Sequence, residues 1–377
     1  MNSKKIKTIC LCGGGNLGHT FAAVLGSHNN LIVNLLTGHP DQWRNQISGI
    51  SEDESLYHGT LHKISDKPAD VVPEADLILI SLPCFAREEM LIKIAPCISQ
   101  STIIGCLPGN GNFELQARTH LPINEKKLTL FGSLRIPYIC RLNEYGTSVK
   151  FHKKECIQIK ATSSDTFYSI KDFFSRYMGI EVEELHNFLE LVLSNSNPIL
   201  HPSRLFDLFG TEPFKGSEEM IPFYETWTTH ASEILMQMDA ELFKLINQIP
   251  LNLSGVTPLL THYESTDATS LTKKIKSIKA FKGIGSPMTF DGKLWHPDYT
   301  SRYFTEDIPY GLLIIKSLLI IYNLKSPIID QIIEWVQPHL RLKLITTKGE
   351  LDQDAHQFPI FQKYCINEID QVESHFS

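Results

Sequence analysis

Short apolar runs alternate with helix-length amphipathic stretches over the first half of the chain. Thr8–Cys12 predicts a buried strand, and a glycine-rich turn follows it directly. His19–Ser27 predicts a helix with Phe21, Ala22, Val24 and Leu25 as apolar positions, and Leu31–Leu36 a second strand. A dinucleotide-binding unit requires this strand–turn–helix–strand order. Leu77–Leu82 is rich in Leu and Ile, as in a parallel strand covered on both faces. Ser101–Leu107 predicts another strand, ending in the turn Pro108-Gly109-Asn110-Gly111. Leu128–Arg135 and Tyr138–Arg141 predict strands broken at Pro137. Gln158–Ala161 predicts one more, before a helix over Asp165–Tyr177.

The pattern changes after about residue 180. Leu185, Phe188, Leu189 and Val192 recur at helical spacing between Glu184 and Asn195. Over Ala231–Gln248, the residues Ile234, Leu235, Met238, Leu242, Leu245 and Ile246 form one stripe. Leu312–Tyr322 and Ile328–Val336 predict further helices, whereas Leu251–Pro309 is rich in Gly, Ser, Thr and Pro, as expected of loops lining a substrate cleft. The expected architecture is an α/β Rossmann-like N-terminal domain over residues 1–180. A mainly α-helical domain over residues 181–377 follows it.

Composition narrows the class. A chain of 377 residues exceeds one ordinary core, which supports two domains. A formal charge of -7 argues against a nucleic-acid surface. The eight cysteines are scattered, several within apolar runs, as buried thiols in a reducing compartment would be. Cys10 and Cys12 are spaced to share one face of a strand. The polar, basic start shows no signal-peptide pattern, and Gly311–Leu324, interrupted by Lys316, is too short to span a bilayer. A cytoplasmic protein without membrane contact is therefore expected. The apolar helices of the second half suit a homodimer interface or one another.

The glycine loop Gly13-Gly14-Gly15-Asn16-Leu17-Gly18 carries the first chemistry. Gly13 suits the tight turn out of the strand, Gly15 lets a pyrophosphate approach the backbone, and Gly18 lets the helix pack on the sheet. The N–H groups at the helix start, at Asn16 and Leu17, attract phosphate charge. NAD sites place an acid at the end of the second strand, but here that strand runs into Thr37-Gly38-His39-Pro40. Thr37, His39 and Arg44 instead suit a 2′-phosphate, so NADP (as NADPH) is expected in preference to NAD. Leu82 and Pro83, after the third strand, are expected to pass beside the cofactor. Cys84 reads as a packed thiol.

Two further segments stand out. Asn197-Pro198-Ile199-Leu200-His201-Pro202 holds a histidine between prolines, which stiffen the backbone. Arg302 through Gly311 places Arg302, Glu306 and Asp307 just before an apolar helix. Trp227, Thr228, Thr229 and His230 either line the cleft or merely start the long helix. His262 and Glu264 lack a third ligand at a zinc spacing, so no metal site is expected.

Together these segments resemble the opine dehydrogenases. The glycine loop, the strand ending at Pro83, the Gly109-Asn110-Gly111 turn, Asn197–Pro202 and Arg302–Gly311 occur in that family's order across nearly the whole chain. The resemblance implies a Rossmann-type domain, a helical domain and an active site between them. It also implies reductive joining of an amino acid's amino group to a 2-oxo acid with NADH or NADPH. Carried over, the catalytic histidine falls on His201 and its acidic partner on Asp307. The carboxylate-gripping arginine falls on Arg302 and an orienting asparagine on Asn197. Asn34 through Thr37, with Pro40 and Trp43, looks closest to enzymes making opine metallophores of the staphylopine and pseudopaline kind, which condense a nicotianamine-like amine with pyruvate or 2-oxoglutarate. Those enzymes carry basic residues where this chain has Gly38-His39, which weakens the NADP expectation.

The chemistry itself suits these residues. An amine and a 2-oxo acid lose water to form an imine, and the accompanying proton transfers need a group such as His201. A carboxylate at Asp307 would fix one imidazole tautomer and favour the charged ring. Arg302 can take a carboxylate bidentately. The competing readings are a ketopantoate-reductase-like or glycerol-3-phosphate-dehydrogenase-like enzyme and a non-catalytic nucleotide sensor. The first would use a lysine as proton donor, but Lys273–Lys282 reads as a solvated helix face. The second would not need His201, Arg302 and Asp307 together.

Overall fold

The computed structural model describes residues 5–377. The chain divides into two compact units, one ending at Leu191 and one running from Val192 to Ser377. The first unit starts with β1 (Thr8–Cys12), α1 (Asn16–Leu25) and β2 (Ile32–Leu36). Its remaining strands are β3 (Gln46–Ser51), β4 (Leu56–Thr60), β5 (Lys63–Ser65), β6 (Leu77–Ile80), β7 (Ile103–Cys106), β8 (Thr129–Ser133), β9 (Tyr138–Glu144), β10 (Ser148–Lys153), β11 (Cys156–Ala161) and β12 (Glu181–Glu184).

Eight of these strands form one sheet in the order β12-β11-β8-β7-β6-β1-β2-β5. Pairing is parallel from β5 to β8, and β11 joins β8 antiparallel. The order reverses between β1 and β6, so their carboxyl ends define the switch point at which an open α/β sheet binds ligands. Alternation along β1 separates two cores. Ile9 and Leu11 join the apolar layer of α1, while Cys10 and Cys12 enter the opposite layer. The two thiols do share a face; their mutual contact and burial push the Cys10 thiol well above its usual range.

The sequence reading did not anticipate a second sheet, β4-β3-β10-β9, which packs on the other side of α1. Helix α1 is thereby enclosed, with Leu17 through Leu25 all buried. It begins at Asn16, three residues earlier than its apolar pattern suggests, because the glycine loop itself leads into its first turn.

The second unit is mainly helical. Its chief elements are α2 (Asn197–Phe209), α3 (Thr229–Ile246), α4 (Ala268–Ser277), α5 (Leu313–Ile321) and α6 (Pro327–Leu340). A small hairpin, Met288–Phe290 with Trp295–Pro297, lies in the stretch expected to be loop. The segment Asn197–Pro202 is helical. Pro202 sits inside α2 and has no N–H to offer the Pro198 carbonyl. Lysines 273, 276, 279 and 282 face solvent, as their clustering suggested. No helix among the described residues is long and apolar enough to cross a membrane.

Candidate active site

The first unit presents the glycine loop at the switch point. Gly13 adopts φ +123°, a conformation that favours glycine, and a side chain there would meet the Ser81 carbonyl at 2.9 Å. A Cβ on Gly18 would lie 2.0 Å from the Gly13 carbonyl oxygen, so the helix can pack this close only without one. At Gly15 a Cβ would meet nothing within 4 Å. The space beside Gly15, with the unpaired N–H groups of the first turn of α1, fits a dinucleotide pyrophosphate.

The residues assigned around the loop fall into two groups. Leu17 is buried and can offer only its backbone. The Asn16 side chain is engaged elsewhere, since its Oδ1 accepts from the Leu142 N–H at 2.7 Å and ties α1 to β9. Thr37 is buried at the end of β2, against Gly14, whereas His39 and Arg44 are exposed beyond it. No acid stands at the β2 tip; Asp41 lies in the following turn, Pro40–Gln42. Leu82 and Pro83 follow β6 half-buried. They are fixed by Arg87, whose Nε donates to the Leu82 carbonyl at 3.1 Å while its other nitrogens bind Asn110 at 2.5 and 3.0 Å. The strand end at β6 and the Gly109-Asn110-Gly111 turn after β7 are thus one braced edge.

Sequence reasoning missed His19. It is fully buried, with Nδ1 2.9 Å from the Gly15 carbonyl and Nε2 accepting the Gly146 N–H at 2.7 Å. Since Nε2 accepts, the ring is the neutral Nδ1–H tautomer and donates to Gly15. Trp43 packs on one side at 3.8 Å and Tyr145 lies at 5.2 Å. Burial lowers the His19 pKa from the ordinary 6.5. Its stabilising contribution is therefore present above pH 6.5 and lost as pH falls through the lowered folded value. Thermal melts of the wild type are expected to show this loss on acidification. His19→Gln, whose amide can also donate and accept, is expected to lack that step. An identical acid profile in the variant would show that His19 does not supply it.

The second unit builds its site on α2 and the segment before α5. Arg302–Thr305 forms one helical turn, and a π-helical turn over Ile308–Leu312 leads into α5. A Cβ on Gly311 would lie 2.3 Å from Pro198 Cγ, so glycine allows this turn to seat against the start of α2. There Asp307 Oδ2 lies 2.7 Å from His201 Nδ1. The other ring nitrogen, Nε2, lies 2.9 Å from the Tyr224 hydroxyl. Tyr303 sets its ring edge-on to the imidazole at 4.5 Å.

Arg302 is exposed and pairs with Glu306, not with Asp307; its Nε donates to Glu306 Oε2 at 2.6 Å. Asn197 is exposed at the first turn of α2, and its N–H donates to Asn195 Oδ1. It does not orient His201, whose ring nitrogens face Asp307 and Tyr224. Trp227 through His230 are the helix start: Thr228 caps α3, Trp227 Nε1 donates to Ser232, and His230 contacts Asp207. Glu264 pairs with Lys274, and no group of three His, Cys, Asp or Glu side chains able to hold a metal occurs among the described residues. Tyr224 and Tyr303 escaped sequence reasoning, since Tyr224 lies in an aperiodic loop and Tyr303 adjoins the more conspicuous Arg302.

A doubly wound sheet with a glycine cradle at its switch point, joined to a helical unit holding a His–Asp pair, defines a nicotinamide-dependent dehydrogenase. Residues 184–340 match the family model of the NAD/NADP octopine/nopaline dehydrogenase alpha-helical domain. The chain is 29% identical to the opine dehydrogenase of Haliotis discus hannai, over 98% of this chain and 99% of that protein. It is 25% identical to the tauropine dehydrogenase of Arabella iricolor, over 97% and 99%. A solved octopine dehydrogenase holding NADH and L-arginine superposes with a TM-score of 0.88 at 25% identity, covering 98% of each chain; a structure with NADH and pyruvate gives 0.86 at 24%. The chain is similar to the opine dehydrogenases over nearly its whole length and is an NAD(P)H-dependent oxidoreductase acting on CH–NH bonds.

Proposed function

We propose that this enzyme condenses the amino group of an amino acid with pyruvate, or a 2-oxo acid like it, and reduces the resulting imine. The observation that carries this reading is His201 held between Asp307 and a tyrosine hydroxyl. Bound along the glycine loop, the reduced nicotinamide supplies the hydride. The backbone at Gly13, Gly15, Asn16, Leu17 and Gly18 holds the pyrophosphate, and Leu82 and Pro83 border the cofactor.

In the second unit, His201 delivers a proton to the carbinolamine oxygen as water leaves, and takes one back in the reverse reaction. Asp307 keeps the proton on Nδ1 and so leaves Nε2 as the working nitrogen. Arg302 grips a substrate carboxylate; its guanidinium is exposed and held by Glu306 at one edge only.

The cofactor reading has two levels. NADH serves, as it does in the similar octopine dehydrogenase structures. A preference for NADPH rests on the β2 tip, where Thr37 follows the strand in place of an acid and Asp41 lies only in the next turn, with His39 and Arg44 on either side of that turn. A metallophore-type amine is the second substrate reading, resting on Asn34 through Thr37 with Pro40 and Trp43.

Oxidation of NADH and NADPH across a matrix of amino acids and 2-oxo acids, with mass detection of N-alkylated products, tests all three levels. We expect an N-(1-carboxyethyl) amino acid from pyruvate. Product only with a nicotianamine-like amine would move the assignment to the metallophore type. A clear NADH preference would remove the role given to Thr37, His39 and Arg44. No N-alkylated product with any pair would overturn the reaction.

A further inference from the structure

The turn between β9 and β10 reaches the glycine loop. Its Tyr145 hydroxyl lies 3.0 Å from the point where a Cβ on Gly14 would stand, and Thr37 Oγ1 lies 2.7 Å from the same point. The two hydroxyls come from different sheets. Thr37 stands at the end of β2 in the large sheet, whereas Tyr145 follows β9 of the second sheet, outside the strand–turn–helix–strand unit.

Backbone contacts fix the turn in this place. The Gly146 N–H donates to His19 Nε2 at 2.7 Å, and the Gly146 carbonyl accepts the Arg44 N–H at 3.0 Å. The Thr147 carbonyl accepts the Ser48 N–H at 2.8 Å. Gly146 adopts φ +73°, and a Cβ there would lie 1.8 Å from the Gln42 carbonyl oxygen, so only glycine lets the turn pass so near the β2–β3 connection.

The Tyr145 side chain is therefore seated on one side and open on the other. Its ring meets the His19 ring edge-on at 5.2 Å and the Trp43 ring at 5.9 Å, yet the residue stays 36% exposed. Its hydroxyl has no hydrogen-bond partner among the described residues. Thr37 Oγ1 accepts the His39 N–H at a long 3.5 Å, which leaves its own O–H to donate. Two available hydroxyls thus stand together at the strand tip where a dinucleotide fold holds the adenosine ribose.

We propose that Tyr145 is a cofactor-binding residue, its hydroxyl joining that of Thr37 to hold the oxygen on C2′ of the adenosine ribose. The proposal rests on the dinucleotide reading of the glycine loop. An acid at this tip can only accept from a ribose hydroxyl, and its charge repels a phosphate. A phenol hydroxyl both donates and accepts. Tyr145 can accept from the 2′-hydroxyl of NADH or donate to the 2′-phosphate of NADPH, so the pair takes the place of the missing acid without excluding either cofactor.

The test is titration of the full-length enzyme and of Tyr145→Phe with NADH, read by nicotinamide fluorescence, and displacement of NADH by ADP and by 2′-deoxy-ADP. Phenylalanine keeps the ring against His19 and Trp43 and removes the hydroxyl alone. Wild-type enzyme is expected to bind ADP more tightly than 2′-deoxy-ADP. Tyr145→Phe is expected to bind NADH and ADP about 3- to 10-fold more weakly, the range for one lost hydrogen bond, and to bind 2′-deoxy-ADP as the wild type does. Equal binding of ADP and 2′-deoxy-ADP by the wild type, or an unchanged NADH affinity in the variant, would overturn the assignment. Equal weakening of ADP and 2′-deoxy-ADP would overturn it too, since that marks a disturbed loop and not a lost ribose contact. Wild-type enzyme that bound neither NADH nor ADP would instead defeat the dinucleotide reading of the loop.

Discussion

His201→Ala is expected to lower kcat for imine reduction about 10³-fold while leaving NADH affinity unchanged. The factor lies mid-range for a general acid–base group and corresponds to ~4 kcal/mol of transition-state stabilisation. Cofactor affinity should hold because the glycine loop is braced within the first unit by His19 and Gly146, the neighbouring strand edge by Arg87, and His201 belongs to the second unit. Asp307→Asn is expected to fall in the same direction. It keeps the side-chain shape but can donate to Nδ1 and so stabilise the wrong tautomer. Single-turnover measurements in both directions separate these effects from product release. Because the same proton moves in each direction, both should slow alike. An His201→Ala enzyme that reduced imine at the wild-type rate would remove His201 from the mechanism. A nucleotide-sensing protein would show unchanged cofactor binding and no turnover to lose.

How far the sequence speaks depends on how each segment is buried. Strands β1, β6 and β7 lie in the sheet interior, so every residue is buried and the apolar run is unbroken. The second sheet shows no such run. Its strands expose alternate residues, and Gly59 of β4 stands where an apolar residue would mark the pattern. A Cβ there would lie 2.1 Å from the Ala22 carbonyl oxygen, so close passage of α1 demands the glycine that hides the strand. His201 and Asp307 were legible as motif residues, and they meet. Arg302 does not pair with Asp307, because Glu306 lies one helical turn from Arg302 while Asp307 turns toward α2. Tyr224 is 23 residues from His201 in a loop without periodicity, so only the folded structure brings its hydroxyl to Nε2.

Arg204→Ala is expected to destabilise the second unit by about 3–5 kcal/mol, the range for removing one partner of a buried charge pair. Arg204 is 1% exposed. Its guanidinium binds the Phe223 and Thr226 carbonyls, the Thr226 hydroxyl at 2.7 Å and Asp207 Oδ2 at 2.6 Å. Truncation strands two carbonyls and leaves the half-buried Asp207 carboxylate with Thr228 and His230 alone, at 2.9 Å each. A unit of this size loses roughly 2–4 °C per kcal/mol, so its transition should fall by about 10 °C. Arg204→Lys restores the charge, but a single ammonium cannot span the carbonyls and Asp207 together. It is therefore expected to recover only a small part of the loss. The activity readout distinguishes a clamp from a mere core residue. Phe223 and Thr226 bracket Tyr224, so releasing them should move its hydroxyl away from His201 and lower kcat even where the variant is fully folded. Calorimetry on the full-length protein, with kcat measured at 15 °C, reads both effects. A variant that melts lower but turns over normally when folded would leave Arg204 a role in stability alone, and would weaken the case that its clamp sets the position of Tyr224.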